Sequence, residues 1–341
     1  MKAIVLRETA PIEEAPLHLE DLPVPEPGPK QVLVKVSVCG LCHTELDEME
    51  GRLQARLPII PGHQIIGRIE RTGPEASRFK PGDRVGIAWI NSACGKCYFC
   101  RKGNENLCPA FKGTGCDANG GYAEYAVVSQ DFAFPIPGAF SNSGAAPLLC
   151  AGAIGYRALR LTNLQDGRTL GLYGFGASAH IVIQMVRYKY PDSKVFVFTR
   201  AGQDHHRNLA RKLGADWVGT TGDRPPAKLD CAIDTTPAWR PIVEALKVLE
   251  KGGRLVINAI RKEARDKDAL LELDYAAHLW LEKEVKSVAN IAAADAEEFL
   301  PMAAEVPIVP QVREFRLEQA NEALRLLKQG KIEGAGVLRV S

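Results

Sequence analysis

The sequence has no apolar run approaching the ~18 residues of a membrane-spanning helix, so no span through a bilayer is expected. It has no excess charge of either sign: 43 Lys and Arg stand against 41 Asp and Glu, a formal net charge of +2. It has no basic cluster interleaved with aromatics, so nucleic acid is not an expected partner. No apolar segment or small-residue cleavage site follows the opening MKAIVLRE, which reads as a short strand and not as a signal peptide; the expected compartment is the cytoplasm. Internal repeats and low-complexity segments are also missing. What remains is an ordinary globular composition of 341 residues, 46% hydrophobic and 25% charged, long enough for two domains.

Cysteine is the residue the chain does not lack. Nine thiols, an odd number without a secretory signal, favour reduced thiols and metal ligands over a disulfide framework. Cys94, Cys97, Cys100 and Cys108 are separated by two, two and seven residues. Such steps can wrap a tetrahedral ion, and four thiolates close its shell, so an ion here would be structural. Disulfides would be strained at this spacing. A bacterial ferredoxin cluster needs three residues before the last cysteine instead of seven, which leaves zinc as the expected metal.

A second ligand set is more dispersed. Within Cys39–Gly67, Cys42 and His63 are two candidate ligands, with Glu45 between them as a carboxylate able to steady an imidazole. Cys150, in PLLCAG, is the best candidate for a third. Three ligands and one open position are what a catalytic zinc requires. Either Cys42 or His63 alone would fit a buried thiol or a core histidine; the company of the four-cysteine set argues for metal.

Patterning divides the chain. Gln31–Val38, Ile65–Arg71, Arg84–Trp89 and Tyr122–Ser129 predict short strands of a small barrel-like fold, with a turn at Lys80-Pro81-Gly82-Asp83. Ser141–Leu161 reads as one long helix carrying Cys150. Strands are then expected at Arg168–Tyr173, Lys194–Thr199, Leu229–Asp234 and Arg254–Ile260. They alternate with helices running to about Lys189, at His205–Leu213 and at Arg240–Leu249, an order that implies a doubly wound parallel sheet. Gly174-x-Gly176-x-x-Ala179 follows a strand and opens a helix, the setting in which small residues let a backbone approach a pyrophosphate. The next strand ends in Thr199-Arg200, where an acid for the adenosine ribose would be expected. Gln319–Lys328 predicts an amphipathic helix, and Gly336–Val340 a last strand returning to the first domain.

Taken together, Cys42-His43-Thr44-Glu45, Pro61-Gly62-His63, Gly82-Asp83-Arg84-Val85, the four-cysteine lobe, Cys150 and the glycine-rich turn resemble the zinc-containing alcohol dehydrogenases of the medium-chain dehydrogenase/reductase superfamily. The resemblance covers almost the whole chain. It implies an α/β architecture: a GroES-like β-rich catalytic domain (1–150 and 290–341) and a Rossmann doubly wound parallel-sheet domain for the nicotinamide cofactor (151–289). It implies a homodimer or homotetramer that moves hydride reversibly between an alcohol and NAD(P), giving an aldehyde or ketone. It assigns a catalytic zinc to Cys42, His63 and Cys150 and a structural zinc to Cys94, Cys97, Cys100 and Cys108, two per subunit. Glu45 then hydrogen-bonds the zinc-bound histidine, Thr44 meets the substrate oxygen and starts a proton relay, and Trp89 lines the substrate pocket.

Three positions depart from the family pattern. Gln64 stands where a glutamate is usual after the zinc histidine. Asp47 stands where many members end the relay in a histidine, so the relay reaches Asp47 or stops at water; as a solvated surface carboxylate Asp47 would have no role. Thr199 replaces the ribose-binding acid. With Arg200 beside it and His205, His206 and Arg207 close by, the expectation is NADP(H) in preference to NAD(H). Cys39, Cys116 and Cys231 are expected to be buried thiols without a ligand role. A polyol or other specialised dehydrogenase on the same scaffold is the alternative enzyme. A non-catalytic member would have been signalled by loss of a catalytic ligand, and all three are present.

Overall fold

The computed structural model describes residues 1–306, 308 and 310–340. The chain divides into two compact units, Met1–Ala153 with Ile291–Ser341, and Ile154–Asn290; of the C-terminal segment, positions 307, 309 and 341 lie outside the described residues.

The first unit is organised on one strand. Gln31–Gly40 pairs antiparallel with Ile65–Thr72, with Tyr125–Ser129 and with the closing strand Ala335–Arg339. Three neighbours leave little of it in water, which is why QVLVKVSV is Val-rich on both faces and not simply alternating. Val34, Val36, Ile65, Val85, Ile87, Phe132 and Leu338 meet in one core. Fully burying a side chain of this size stabilises by roughly 1.5–3 kcal/mol. The last strand thus ties the C-terminus back to the first unit.

Two strands are shorter than their patterns predict. Tyr122 does not join the strand that begins at Tyr125. Backbone bonds from Gly120, Gly121 and Tyr122 go instead to the carbonyls of Ile60, Gly62 and Pro61, at 2.6, 2.9 and 3.0 Å. This brace fixes the turn that carries His63. Arg84–Ile87 ends before Trp89, and Ile90–Ser92 starts a separate pairing with Lys112–Gly113.

The expected single helix Ser141–Leu161 is broken. A short helix Asn142–Ala145 passes into a 3-10 turn, Ala146–Leu149, and a new helix runs from Ala151 to Thr162. Pro147 has no N–H to give a helical ladder. Cys150 takes up the break with φ −117° and ψ −82°, its N–H bonded to Pro147 O at 3.3 Å.

The second unit holds a six-stranded, all-parallel sheet. Its order is Trp217–Thr220, Lys194–Thr199, Thr169–Tyr173, Leu229–Asp234, Leu249–Ile257, Glu284–Ser287. All five residues of Thr169–Tyr173 are buried, as an interior strand covered on both faces requires. The strand order reverses at Thr169–Tyr173, so the crevice between it and Leu229–Asp234 is the topological switch point where such sheets take ligands. The strand expected at Arg254–Ile260 runs instead from Leu249 to Ile257 and includes Gly252 and Gly253. Leu249 already pairs with Leu229, and a register shift between Leu229 and Cys231 absorbs the glycines. Among the described residues, no helix is long and apolar enough to cross a membrane.

Candidate functional site

Helix His43–Met49 follows directly on Gln31–Gly40, and Cys42 is its N-cap. Glu45, three residues on, turns back so that its Oε2 accepts from Cys42 N at 2.7 Å, half of a capping box. The Cys42 sulfur and Thr44 Oγ1 thereby come within 3.5 Å of each other. His63 arrives from the opposite side on the Pro61-Gly62 turn. Gly62 has φ +98°, and a Cβ there would lie 2.4 Å from the Tyr122 ring, so only glycine fits. Trp89 packs edge-on against the imidazole, ring centroids 5.0 Å apart at 85°. His63 Nδ1 stands 2.6 Å from Glu45 Oε1. The two atoms lack the alignment of a full hydrogen bond, and neither has another partner among the described residues. Glu45 is therefore a fully buried carboxylate bridging two candidate ligands.

The broken helix delivers the third ligand. Cys150 Sγ lies 3.8 Å from Cys42 Sγ, and one ligand atom each from Cys42, His63 and Cys150 fall within 4.8 Å of one another. Two sulfurs bound about 2.3 Å from one tetrahedral ion stand about 3.8 Å apart. With Nδ1 facing Glu45, Nε2 is the ring nitrogen left for an ion. The donor set therefore fits zinc with a fourth position open. Hydrogen bonding from the Cys150 thiol, opposed by burial, and the neighbouring His63 hold Cys42 well below the ordinary thiol value. Burial pushes His63 down, but Glu45 and Cys42 outweigh it and hold the imidazole well above its ordinary value. Both shifts reflect how closely the thiol, the imidazole and the Glu45 carboxylate are gathered.

Asp47 is not a solvated carboxylate. It is 4% exposed, and its Oδ1 accepts from Arg52 Nε at 2.6 Å. Arg52 also pairs with Glu50, which pairs with Lys328 at 2.8 Å. Gln64 is buried and lies against Gly40, where a Cβ would be 2.8 Å from Gln64 Oε1. Cys39, Cys116 and Cys231 are buried, and burial pushes the Cys116 and Cys231 thiols up to about 12. Such thiols are inert at neutral pH.

Cys94, Cys97, Cys100 and Cys108 form a second cluster with sulfurs within 4.8 Å of one another. Cys94 and Cys100 are 3.9 Å apart, and Cys97 and Cys100 3.5 Å. Backbone N–H groups of Cys94, Cys97, Cys100 and Ala110 point at these sulfurs. Led by the N–H of Lys96, such bonds bring the Cys94 thiol down to about 6. Four converging sulfurs fit a closed tetrahedral shell.

In the second unit, the glycine turn sits at the switch point. Gly174 has φ +82°, and a Cβ on it would meet Thr235 Oγ1 at 2.8 Å and Thr236 Cγ2 at 2.9 Å. Nothing stands within 4 Å of a Cβ on Gly176, so a cradle is open above the N-cap of helix Ala177–Lys189. Ala179 is buried beneath it. A dinucleotide pyrophosphate fits such a cradle. Thr199 is buried at the end of the neighbouring strand, its hydroxyl 3.3 Å from Arg200 O. The Arg200 side chain is exposed, with no ion pair or hydrogen bond among the described residues. Arg207 lies 3.7 Å from Asp204, and His206 Nδ1 lies 3.1 Å from Gln203 Oε1. Sequence reasoning overlooked two groups: the buried Glu48 carboxyl, without a hydrogen-bond partner among the described residues, and Lys262, paired with Asp234. Neither belongs to a motif, and only the acid-rich run ELDE hinted at the first.

Residues 28–138 match the alcohol dehydrogenase GroES-like domain family. Over all of its length the chain is 41% identical to the probable alcohol dehydrogenase AdhA of Mycobacterium tuberculosis, covering 97% of that protein. It is 32% identical to an alcohol dehydrogenase of Geobacillus stearothermophilus, with 100% of both chains covered. The solved structure of a cinnamyl alcohol dehydrogenase from Sorghum bicolor superposes with a TM-score of 0.86 at 27% identity, over 99% of this chain and 97% of that one.

Proposed function

The chain belongs to the zinc-type alcohol dehydrogenases of the medium-chain dehydrogenase/reductase superfamily, and we propose that it works with two zinc ions and prefers NADP(H) to NAD(H). Its activity is alcohol oxidoreduction with a nicotinamide cofactor, on a GroES-like domain and a Rossmann-type sheet. The observation that carries the finer reading is the pair of separate clusters, each with ligand atoms within 4.8 Å. Cys42, His63 and Cys150 hold the catalytic ion; Cys94, Cys97, Cys100 and Cys108 hold the structural one.

The catalytic zinc, when bound, supplies a Lewis acid that lowers the pKa of the alcohol hydroxyl. Everything else is work for the chain. Glu45 fixes the imidazole so that Nε2 faces the ion, and ties the Cys42 backbone in place. Thr44 Oγ1 takes the alcohol proton and gives up its own outward, because a hydroxyl both accepts and donates. Asp47, held by Arg52, is the next station. Trp89 walls the substrate against His63. The Gly174–Ala179 turn and the N-terminus of its helix would cradle the pyrophosphate of a nicotinamide dinucleotide, which when bound would supply the hydride acceptor or donor.

Thr199 and Arg200 support the cofactor preference. The buried hydroxyl carries no charge to repel a 2′-phosphate, and Arg200 has five donors free for one. Arg207 adds less, because Asp204 partly offsets it. The test is kcat/KM with each cofactor, for the parent and for Arg200→Ala, beside elemental analysis. Two zincs and a preference for NADP(H) that Arg200→Ala erases are expected. One zinc per chain, or a preference the substitution leaves unchanged, would overturn the reading.

We propose in addition a homo-oligomer that forms through the exposed edge strand Glu284–Ser287. All four residues are exposed, with Val285 at 47%. Antiparallel pairing of this edge with itself about Val285 would set Glu284, which pairs with Arg254 in its own chain, against Lys286 of the other copy, twice per two-fold. Val285→Pro should shift the mass in light scattering to the monomer; an unchanged mass would move the interface elsewhere.

A further inference from the structure

Away from both cysteine clusters, the second unit contains a buried ionic clasp. Lys262 Nζ pairs with Asp234 Oδ2 and donates to Thr236 O at 2.8 Å and Ala238 O at 2.9 Å. Three protons meet three acceptors, so the ammonium is fully satisfied. The Lys262 side chain is 9% exposed and that of Asp234 0%. Asp234 Oδ1 takes the N–H and the hydroxyl of Thr236 at 2.9 and 2.8 Å. Two more ties bind the same stretches: Glu263 N to Pro237 O at 2.8 Å, and Asp266 Oδ2 accepting from Trp239 N and Arg240 N, both at 2.9 Å. Residues 262–266 thus strap down residues 234–240.

The strapped segment is one wall of the switch-point crevice. Thr235 N and Oγ1 both bond to Tyr173 O, at 2.9 and 3.1 Å, at the end of the strand that leads into the glycine turn. The close approach of Gly174 to Thr235 and Thr236 means that any shift of this segment moves the floor on which the turn rests. Replacing a buried ion pair with apolar groups often leaves stability unchanged or improved, so stability alone is a weak reason for a buried lysine here. Geometry is the better one: a network with every donor satisfied has a single arrangement.

We propose that Lys262 is a positioning residue for the nicotinamide dinucleotide, holding Asp234–Ala238 so that the Gly174 turn has its binding shape before the cofactor arrives. The proposal rests on the dinucleotide lying on the Gly174–Ala179 turn. Lys262 spends its three protons on Asp234, Thr236 and Ala238 and has none for the cofactor itself, so its effect is through the wall.

The experiment measures dissociation constants for NADPH and NADH by nicotinamide fluorescence, with melting temperature and kcat at saturating cofactor, on the full-length zinc-loaded protein. The variants are Lys262→Met, Lys262→Arg and the double variant Lys262→Met with Asp234→Leu. If the clasp keeps the turn competent, lowering the competent fraction to about a tenth weakens binding about tenfold. That loss is expected for Lys262→Met with both cofactors, with kcat within about twofold and partial rescue by Lys262→Arg. The double variant removes the unpaired Asp234 charge, so melting temperature should recover while affinity stays low. Parental affinity in Lys262→Met, or affinity that returns with melting temperature in the double variant, would overturn the proposal. A parent that binds neither dinucleotide would refute the reading of the turn itself, and the role of the clasp with it.

Discussion

Replacing Glu45 is the sharpest test of the catalytic cluster, because this one carboxylate serves two candidate ligands at once. Its Oε2 accepts from Cys42 N at 2.7 Å and its Oε1 stands 2.6 Å from His63 Nδ1. A hydrogen bond to a charged group is worth roughly 1.5–3 kcal/mol, and leaving a buried donor unmade costs about 1–3 kcal/mol. Losing a group that orients a metal-binding histidine lowers affinity about 10–100-fold, which is about 1.4–2.8 kcal/mol. Glu45→Ala should reach that range. Glu45→Gln should do nearly as badly, for a specific reason. Glutamine has one acceptor, and two N–H donors ask for it. If its oxygen serves Cys42 N, its amide N–H faces Nδ1, and the imidazole must put its proton on Nε2, the atom the ion needs. The assay is competition for zinc with a chelating dye, in which the four-cysteine cluster keeps its own ion as an internal control. Catalytic-site zinc held by Glu45→Gln at parental affinity would refute the tautomer argument.

Cys100→Ser should lower the metal count from two to one and the melting temperature by about 2–4 °C per kcal/mol lost, while chelator competition still finds the catalytic ion; two retained zincs would contradict the assignment of the lobe. Thr44→Ala should reduce kcat by about 10²–10⁴-fold and Thr44→Ser by little, as a hydroxyl in the relay demands; near-normal turnover in Thr44→Ala would remove it from the relay. Burial holds His180 below its ordinary value, against the carbonyl of Gly176 and with His206 adding to burial. In the unfolded chain the imidazole, titrating at about 6.5, then takes a proton the folded chain resists. Stability should be full above that pH and fall as pH drops through it, and His180→Gln should flatten the fall in melting temperature between about pH 7.5 and 5.5. The same slope in both proteins would show that His180 does not drive it.

What the sequence displayed depended on how local the cause was. The cysteine spacing of 94–108 is a property of 15 consecutive residues, and the four sulfurs converge. The Rossmann-type alternation was legible because interior parallel strands such as Thr169–Tyr173 are apolar throughout. The break at Cys150 was not, since an apolar run hides a kink and Pro147 sits in a 3-10 turn short of the break itself. Strands Trp217–Thr220 and Glu284–Ser287 are four residues each and lie at opposite edges of the sheet, where one-sided pairing imposes no strong pattern. The Lys262 clasp reaches back 28 residues to the Asp234 carboxylate and 26 and 24 residues to two carbonyls, and backbone carbonyls carry no sequence signal.

The departures at Asp47 and Gln64 become intelligible once charge is counted around helix His43–Met49. This one helix buries three acids, Glu45, Asp47 and Glu48, beside two cysteines that must be thiolates to bind zinc. Burying like charges together is prohibitive unless each is answered. Glu45 is answered by the Cys42 N–H and His63. Asp47 is answered by Arg52. Among the described residues no cation pairs with Glu48; burial and then Glu45 push its carboxyl well above the carboxylate range, against the opposing pull of His63. A fourth carboxylate at position 64, buried against Gly40 a single residue from His63, would have no comparable answer. An amide there keeps the shape and omits the charge. On this reasoning the uncharged Gln64 and the Asp47–Arg52 pair both limit unanswered charge around the helix.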